Sequence, residues 1–310
     1  MTDDGMQEGA APDRTRLVLL GTGTPNADPR HWGPAVAVVV NGESYLVDAG
    51  VGIVRQAAAA AGNGIPALQP ARLRRLFVTH LHSDHTLGLP DLMLSPWVLE
   101  RPVPLDVYGP AGLAAMTRRI EEAWRDDIHN RLNGLEPQST RNYRAITHAI
   151  EAGRIYEDAN VRIDAIPVRH ESWPEAYGFR FQTADRTIVI SGDTTPVDAI
   201  VEAARGCDLL LHEVYSAARL LTRPPAWQTY HRASHTSTVE LAELAGRAQP
   251  ALLVLYHQLY WGATDADLVQ EIHDAGYTGP VVSGQDLDVY TRGRVTSQIV
   301  TDGLPENIWP

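Results

Sequence analysis

The stretch FVTHLHSDHTLGLPDL, residues 77–92, places three histidines and an aspartate within six consecutive positions, His80 to His85. Side chains of that kind at that density form either a polar turn by chance or one side of a metal site. A metal site draws donors from more than one loop, so the rest of the chain decides between the two. The run RLFVT just ahead of His80 reads as a strand that ends where the histidines begin.

Composition narrows the chemistry. The 310 residues suffice for one large or two small domains with a substantial core. Hydrophobic residues make up 44% and charged residues 21%, ordinary for a globular enzyme. A formal net charge of −12 gains nothing from counterion release off a phosphate backbone. Nucleic acid is therefore a disfavoured partner and a small-molecule substrate the expected one. Cys207 is the only cysteine, which excludes an intrachain disulfide and leaves any metal to histidine and carboxylate. Residues 1–15, MTDDGMQEGAAPDRT, are acidic, rich in Gly and Ala, and read as a disordered lead-in to one domain over 16–310. The longest apolar runs, such as AVAVVV, fall far short of a membrane span, so no membrane contact and a cytoplasmic location are expected.

Short strand-like runs alternate with helical segments. RLVLL, AVAVVV and SYLVDAG open a sheet, IVRQAAAAAG is a helix closed by Gly62, and PLDVYGP is a strand leading through Pro110 into another helix. Residues 121–155 mix helix-like charge spacing with Gly and Pro breaks and carry no clear strand; they are an excursion, either a lid or a plain surface loop. The second half repeats the rhythm in VRIDAIPVRH, YGFRFQT, TIVISGD, DLLLHE and ALLVLYH. There Pro196 starts a helix that Gly206 ends, and Ser237 with Glu240 forms a capping box on TVELAELAGRA. Two similar halves with helices between strands predict two sheets covered by helices.

Working outward from the histidines, His170 follows VRIDAIPV, Asp193 follows TIVIS, and His257 follows ALLVLY, as His80 follows RLFVT. Loops just past strand ends are where a sheet presents functional side chains. Four strands thus deliver seven donors to one rim, enough for two metals.

This order resembles the metallo-β-lactamase superfamily. His80-Leu81-His82-Ser83-Asp84-His85 completes its H-x-H-x-D-H signature, and GDT at 192–194 resembles its bridging-aspartate motif. GTGTP, THLHSDH, SGDT, LLHEVY and SHTSTVELAELA together are similar to the ribonuclease Z and arylsulfatase-like branch, over roughly residues 16–290. The resemblance implies an α+β fold, a four-layer αββα sandwich. It also implies His80, His82 and His170 on one divalent ion, Asp84, His85 and His257 on a second, and Asp193 between them. Imidazole and carboxylate suit Zn²⁺ first, with Mn²⁺ or Fe²⁺ as alternatives.

Two such cations share a hydroxide near neutral pH, which attacks an ester while a proton donor frees the leaving group. The resemblance matches His235 to that general acid and Glu213 to its orienting partner, with Asp84 counted among the catalytic carboxylates; the plainer alternative is a helix cap and a buried ion pair. His212 is expected to face the other side of its strand. Asp48 is expected to support a metal-bound histidine, and Thr194 or Thr79 to do similar work. Trp32, Trp173, Tyr177 and Trp261, with Trp227 and Tyr260, are candidates for an apolar substrate pocket. His31, His129, His148, His231 and His273 lack motif support.

The expected substrate is a small phosphodiester or sulfate ester, with carboxyl-type esters, lactones and aryl halides kept open. A tRNA 3′-processing endonuclease is the alternative. That branch usually carries a long Gly/Pro-rich arm between the residues matching His170 and Asp193, and residues 171–192 leave no room for it. QLYWG after His257 also lacks the pattern expected there. A non-hydrolytic metal-binding or redox module is the third reading, opposed by the presence of both Glu213 and His235. A homodimer is a mild expectation from resemblance alone.

Overall fold

A computed structural model describes residues 14–136, 141–291 and 294–296. Among the described residues the strands form two sheets. The first contains β1 (Thr15–Gly21), β2 (Ala35–Val40), β3 (Glu43–Val47), β4 (Arg75–Phe77), β5 (Leu105–Gly109) and β6 (Ala145–Ala149), with β14 (Val289–Thr291) and β15 (Arg294–Thr296) added beside β1. The second runs in order through β7 (Gly153–Glu157), β8 (Val161–Pro167), β9 (Tyr177–Thr183), β10 (Thr187–Ile190), β11 (Leu209–Tyr215), β12 (Leu253–Leu259) and β13 (Val281–Ser283). Asn41 and Gly42, both with positive φ, make the tight turn that fixes the β2–β3 register.

Strand alternation sorts side chains into three cores. Leu17, Leu19, Val36, Val38 and Phe77 meet Phe179, Phe181, Ile188, Leu211 and Tyr256 between the sheets. The intervening residues, Val18, Leu20, Ala35 and Ala37, face outward onto helices α1 (Ile53–Gly62), α3 (Leu89–Val98) and α4 (Leu113–Ala123). On the far side Val189, Leu210, Leu253 and Leu255 pack under α6 (Asp198–Ala203), α9 (Thr238–Ala248) and α10 (Asp265–Asp274). The layers are helix, sheet, sheet, helix, an α+β sandwich as expected. Three shorter or site-facing helices complete the described set: α2 (Ser83–Thr86), α7 (Ala217–Leu220) and α8 (Pro225–Ser234), with α5 (Arg125–Asn133) lying beside α3.

Local expectations met the structure unevenly. The capping box of Ser237 and Glu240 is present on α9. Gly62 is the last residue of α1, but the left-handed position that caps the helix falls two residues on, at Gly64, φ +94°, where the Ile65 N–H reaches back to Ala60. The excursion at 121–155 also needs correction. It holds α5 and two edge strands, β6 on the first sheet and β7 on the second, and none of its described residues lines the cavity above the histidines. Residues 137–140 of that segment, and 1–13 of the lead-in, lie outside the described residues. Among the described residues no helix is long and apolar enough to cross a membrane.

Candidate metal centre

The seven sequence-chosen donors converge at one rim of the sandwich, each brought there by a local device. After β4 the chain stays extended through His80 and His82, then coils into α2, which carries Asp84 and His85. That turn docks on residues 48–50 by backbone bonds, Ala49 N–H to His85 O and Gly88 N–H to Ala49 O, both 2.8 Å. A Cβ on Gly88 would lie 2.2 Å from Gly50 O, so only glycine permits the approach. Asp193 follows Gly192, whose φ of +61° turns the chain off β10. His257 stands at a bulge: Glu213 pairs with Tyr256 and Val214 with Gln258, leaving His257 unpaired at φ +47°. The extra residue re-aims its ring towards the cluster.

Two donor sets result. In the first, His82 Nδ1 lies 3.0 Å from His80 Nε2 and 2.9 Å from His170 Nε2. In the second, His257 Nε2 is 3.2 Å and His85 Nε2 3.5 Å from Asp84 Oδ2. Asp193 reaches both rings of the second set, at 3.4 Å each, and groups with His80 and His85 as well as with His170. Donors on a tetrahedral ion with bonds of about 2.0 Å sit roughly 3.3 Å apart, so these spacings fit a small divalent cation. His85 Nε2 and Asp193 Oδ1 are buried, face each other, and have no hydrogen-bond partner. Orphaned polar atoms of that kind are costly unless something else satisfies them.

The surrounding bonds fix which ring nitrogen is free. His170 Nδ1 donates to Ser234 O at 2.8 Å and His85 Nδ1 to Asp48 Oδ2 at 2.8 Å, leaving each Nε2 for the cluster. His80 Nδ1 bonds Thr79 Oγ1, which itself donates to Asp48. Asp48, at φ +58°, therefore steadies one histidine of each set. Thr194 acts differently: its backbone N–H donates to Glu213 Oε1, while its hydroxyl bonds the Thr195 carbonyl.

The two sets differ in charge. Burial pushes His80, His82 and His170 below the ordinary histidine value, so all three are neutral at pH 7. Burial acts against charge on His85 and His257 too, but Asp193 and Asp84, joined at His85 by Asp48, outweigh it and hold both rings above their usual value. Asp84 and Asp193 are correspondingly held low by those rings despite their burial. Beside the cluster, His235 Nδ1 is 3.2 Å from Glu213 Oε1 and 3.9 Å from Asp193 Oδ2. Burial and the Asp193 charge push Glu213 well up, and burial takes His235 down to about 4. His212 points away, bonded to the Glu213 carbonyl.

A family model described as a β-lactamase superfamily domain matches residues 43–258. A ribonuclease Z from Mycobacterium sp. (strain KMS) is 34% identical over 247 residues, covering 78% of this chain and 84% of that protein. The chain belongs to the metallo-β-lactamase superfamily. It sits in the ribonuclease Z branch and is a metal-dependent hydrolase. Two solved structures share the fold. The metallo-β-lactamase fold protein YhfI from Bacillus subtilis is 16% identical, with a TM-score of 0.69 over 90% of this chain and 100% of that one. The short form of human tRNase Z is 24% identical, with a TM-score of 0.64 over 89% and 98%.

Within this metallo-β-lactamase fold the donors floor a cavity of about 280 Å³. Pro25, Asn26, Arg223, Trp227, Tyr230, His231 and Trp261 line it. An apolar cavity of about 470 Å³ adjoins it through Asp84 and contains Trp32. Trp173 instead lies on His82, its indole N–H 2.6 Å from Nε2. Tyr177 is not a pocket residue: β9 turns it inward with Phe179 and Phe181, and its hydroxyl bonds Ile150 O. Arg223, Tyr230 and Asn26 were not singled out from sequence, and His231 was set aside. Their signal was weak: Tyr230 and His231 sit on α8 with ordinary polar spacing, Arg223 just ahead of that helix, and Asn26 in the loop after β1. The family also corrects the charge argument: its relatives are ribonucleases, so a net charge of −12 does not make nucleic acid a disfavoured partner. Net charge is a sum over the whole surface, whereas a substrate meets the field of one cavity.

Proposed function

We propose that this chain is a ribonuclease Z-type phosphodiesterase that cleaves RNA on the 3′ side of a tRNA. The observation that carries the reading is the ribonuclease Z relationship across 78% of the chain, alongside this chain's own converged donors and the His235–Glu213 pair beside them. His80, His82 and His170 would hold one divalent ion, and Asp84, His85 and His257 a second, with Asp193 shared. Zinc is the metal proposed for both, on the imidazole and carboxylate donor set. When bound, such ions supply Lewis acidity at the phosphate and a hydroxide near neutral pH.

The chain's own groups supply the rest. Asp48 fixes the tautomer of His85 directly and of His80 through Thr79. Glu213 is held by the N–H groups of Thr194 and Thr236 and orients His235 towards the cavity. A water-derived oxygen bonds phosphorus as the P–O3′ bond breaks, and His235 delivers a proton to the departing 3′ oxygen, leaving a 3′-hydroxyl and a 5′-phosphate.

One observation favours a second reading, a small phosphodiester as substrate. The chain between His170 and Asp193 is spent on β9 and β10, with no arm to grip a folded RNA. Zinc-loaded protein with a precursor tRNA and with bis-p-nitrophenyl phosphate separates the two. Cleavage of the precursor at the 3′ end of the tRNA is expected. Turnover of the small ester with an intact precursor would replace the first reading by the second.

A further inference from the structure

The strongest feature outside the donor cluster is the part of the cavity lining that Arg223, Trp227, His231 and Trp261 supply. Arg223 lines the cavity, and among the described residues no carboxylate pairs with it; its Nε is buried without a hydrogen-bond partner. The guanidinium lies over the Trp261 ring at 5.8 Å. In a chain of net charge −12, a cation facing a substrate cavity without a counter-anion is an anion receptor by position. Its backbone is held in place: Gln228 Nε2 bonds the Arg223 carbonyl, and Pro224 and Pro225 stiffen the turn into α8.

Beside it the rings form a row. Trp227 stacks on His231 at 5.7 Å and 25°, His231 meets Trp261 at 4.6 Å, and His231 lies 5.5 Å from His235. The row therefore runs from the mouth, where Trp227 is 50% exposed, to the group proposed as proton donor. Trp261 holds its place at φ +45°, a backbone conformation that disfavours bulky residues. A tryptophan there costs strain that glycine would avoid, which argues for a use of the ring itself.

We propose that Arg223, Trp227 and Trp261 form a subsite for the nucleotide on the leaving-group side of the scissile phosphate. The base stacks on the exposed Trp227 ring and Arg223 pairs with that nucleotide's 5′-phosphate. This rests on the phosphodiesterase reading, because His235 marks the leaving-group side only if it protonates the departing oxygen. Stacking is tolerant of base identity, so the subsite selects a phosphorylated nucleotide rather than a sequence.

The test uses two dinucleotides that differ only in a 5′-phosphate, with wild type, Arg223→Ala, Arg223→Lys and Trp227→Ala. The 5′-phosphate should raise wild-type kcat/KM at least tenfold, chiefly through KM. Arg223→Ala should erase that advantage, Arg223→Lys should keep part of it, and Trp227→Ala should weaken both dinucleotides. Binding of a nucleoside 5′-monophosphate to metal-free protein, read by tryptophan fluorescence, gives a measure independent of turnover. It should weaken about tenfold in Arg223→Ala, while the unphosphorylated nucleoside shows no such difference. Should Arg223→Ala fold poorly by circular dichroism, Arg223→Met carries the same comparison. An equal 5′-phosphate advantage in wild type and in a folded Arg223 variant overturns the subsite, even if RNA is cleaved. Binding discrimination without cleavage of any phosphodiester overturns the phosphodiesterase reading and the leaving-group assignment with it, and keeps only a phosphorylated-nucleotide site at Arg223 and Trp227.

Discussion

The two donor sets share a rim and an aspartate yet are built oppositely. His80, His82 and His170 are three neutral rings stripped of charge by burial. Asp84, His85 and His257 mix carboxylate and imidazole, and the rings there keep protons because Asp193 and Asp84 outweigh burial. In the second set, protons stand where a cation's charge would otherwise be. The difference teaches that one cluster can offer two ions unlike welcomes. The first site is ready but uncharged; the second is charged but must be emptied of protons.

Asp193 is the point where the comparison breaks most completely, since it groups with members of both sets. Asp193→Ala should remove stable binding of both ions. Loss of several kcal/mol of charge stabilisation corresponds to a rate loss on the order of 10³-fold or more. Metal analysis beside a phosphodiester assay checks it; a variant with full metal content and wild-type rate would sink the bridging role.

His235 touches the cluster's edge without joining either set, so its removal should separate rate from metal. His235→Ala is expected to keep wild-type metal content and to slow hydrolysis by about 10²- to 10⁴-fold for alkoxide leaving groups. A p-nitrophenolate leaving group needs little help and should lose far less. Equal losses for both would make His235 a structural residue.

How much of this was legible follows the same division. The first loop announced itself because four donors fall in six residues, and His170, Asp193 and His257 because each follows an apolar run, although β12 continues two residues past His257. The bulge that turns His257 inward was not legible, since a register slip arises from the pairing of β11 with β12 rather than from either strand alone. Nor were β6 and β7: edge strands carry polar residues on both faces, which hides their period. Tyr177 was legible and misread, because alternation with Phe179 and Phe181 already points it into the core. The wall on α8 stayed hidden, as nothing in its spacing separates a cavity-facing His231 from an ordinary helix histidine.

Asp48 ties the sets together, directly at His85 and through Thr79 at His80. Asp48→Asn should weaken metal affinity by roughly 10–100-fold, as loss of such supporting carboxylates does. The second set should suffer more, because its bond is direct. Stepwise zinc titration against a competing chelator reads both constants, and an equal loss in both would erase the distinction.

Proton release sharpens it further. His85 is held well above and His257 above the ordinary histidine value, so the second set, on loading, expels protons that the first set has already lost. Its affinity should rise with pH, about tenfold per unit for each proton released, until the pH passes the raised values. The first set, already neutral, should bind with little dependence above the ordinary histidine range. Calorimetry in two buffers of different ionisation enthalpy counts protons per equivalent, and equal counts for both ions would collapse the comparison.

The smallest effect concerns the first set alone. Trp173 N–H donates to His82 Nε2, so a neutral His82 carries its proton on Nδ1, the atom facing His80 and His170. An ion bound through Nδ1 moves that proton to Nε2, where it would face another N–H. Loading therefore gives up the indole bond, worth about 1 kcal/mol. Trp173→Phe removes the competition and should tighten the first ion roughly fivefold while leaving the second unchanged. Indole fluorescence in the wild type should shift with the first equivalent only. A Trp173→Phe variant that binds the first ion more weakly would mean that the indole supports the loaded state, and that the first set is no readier than the second.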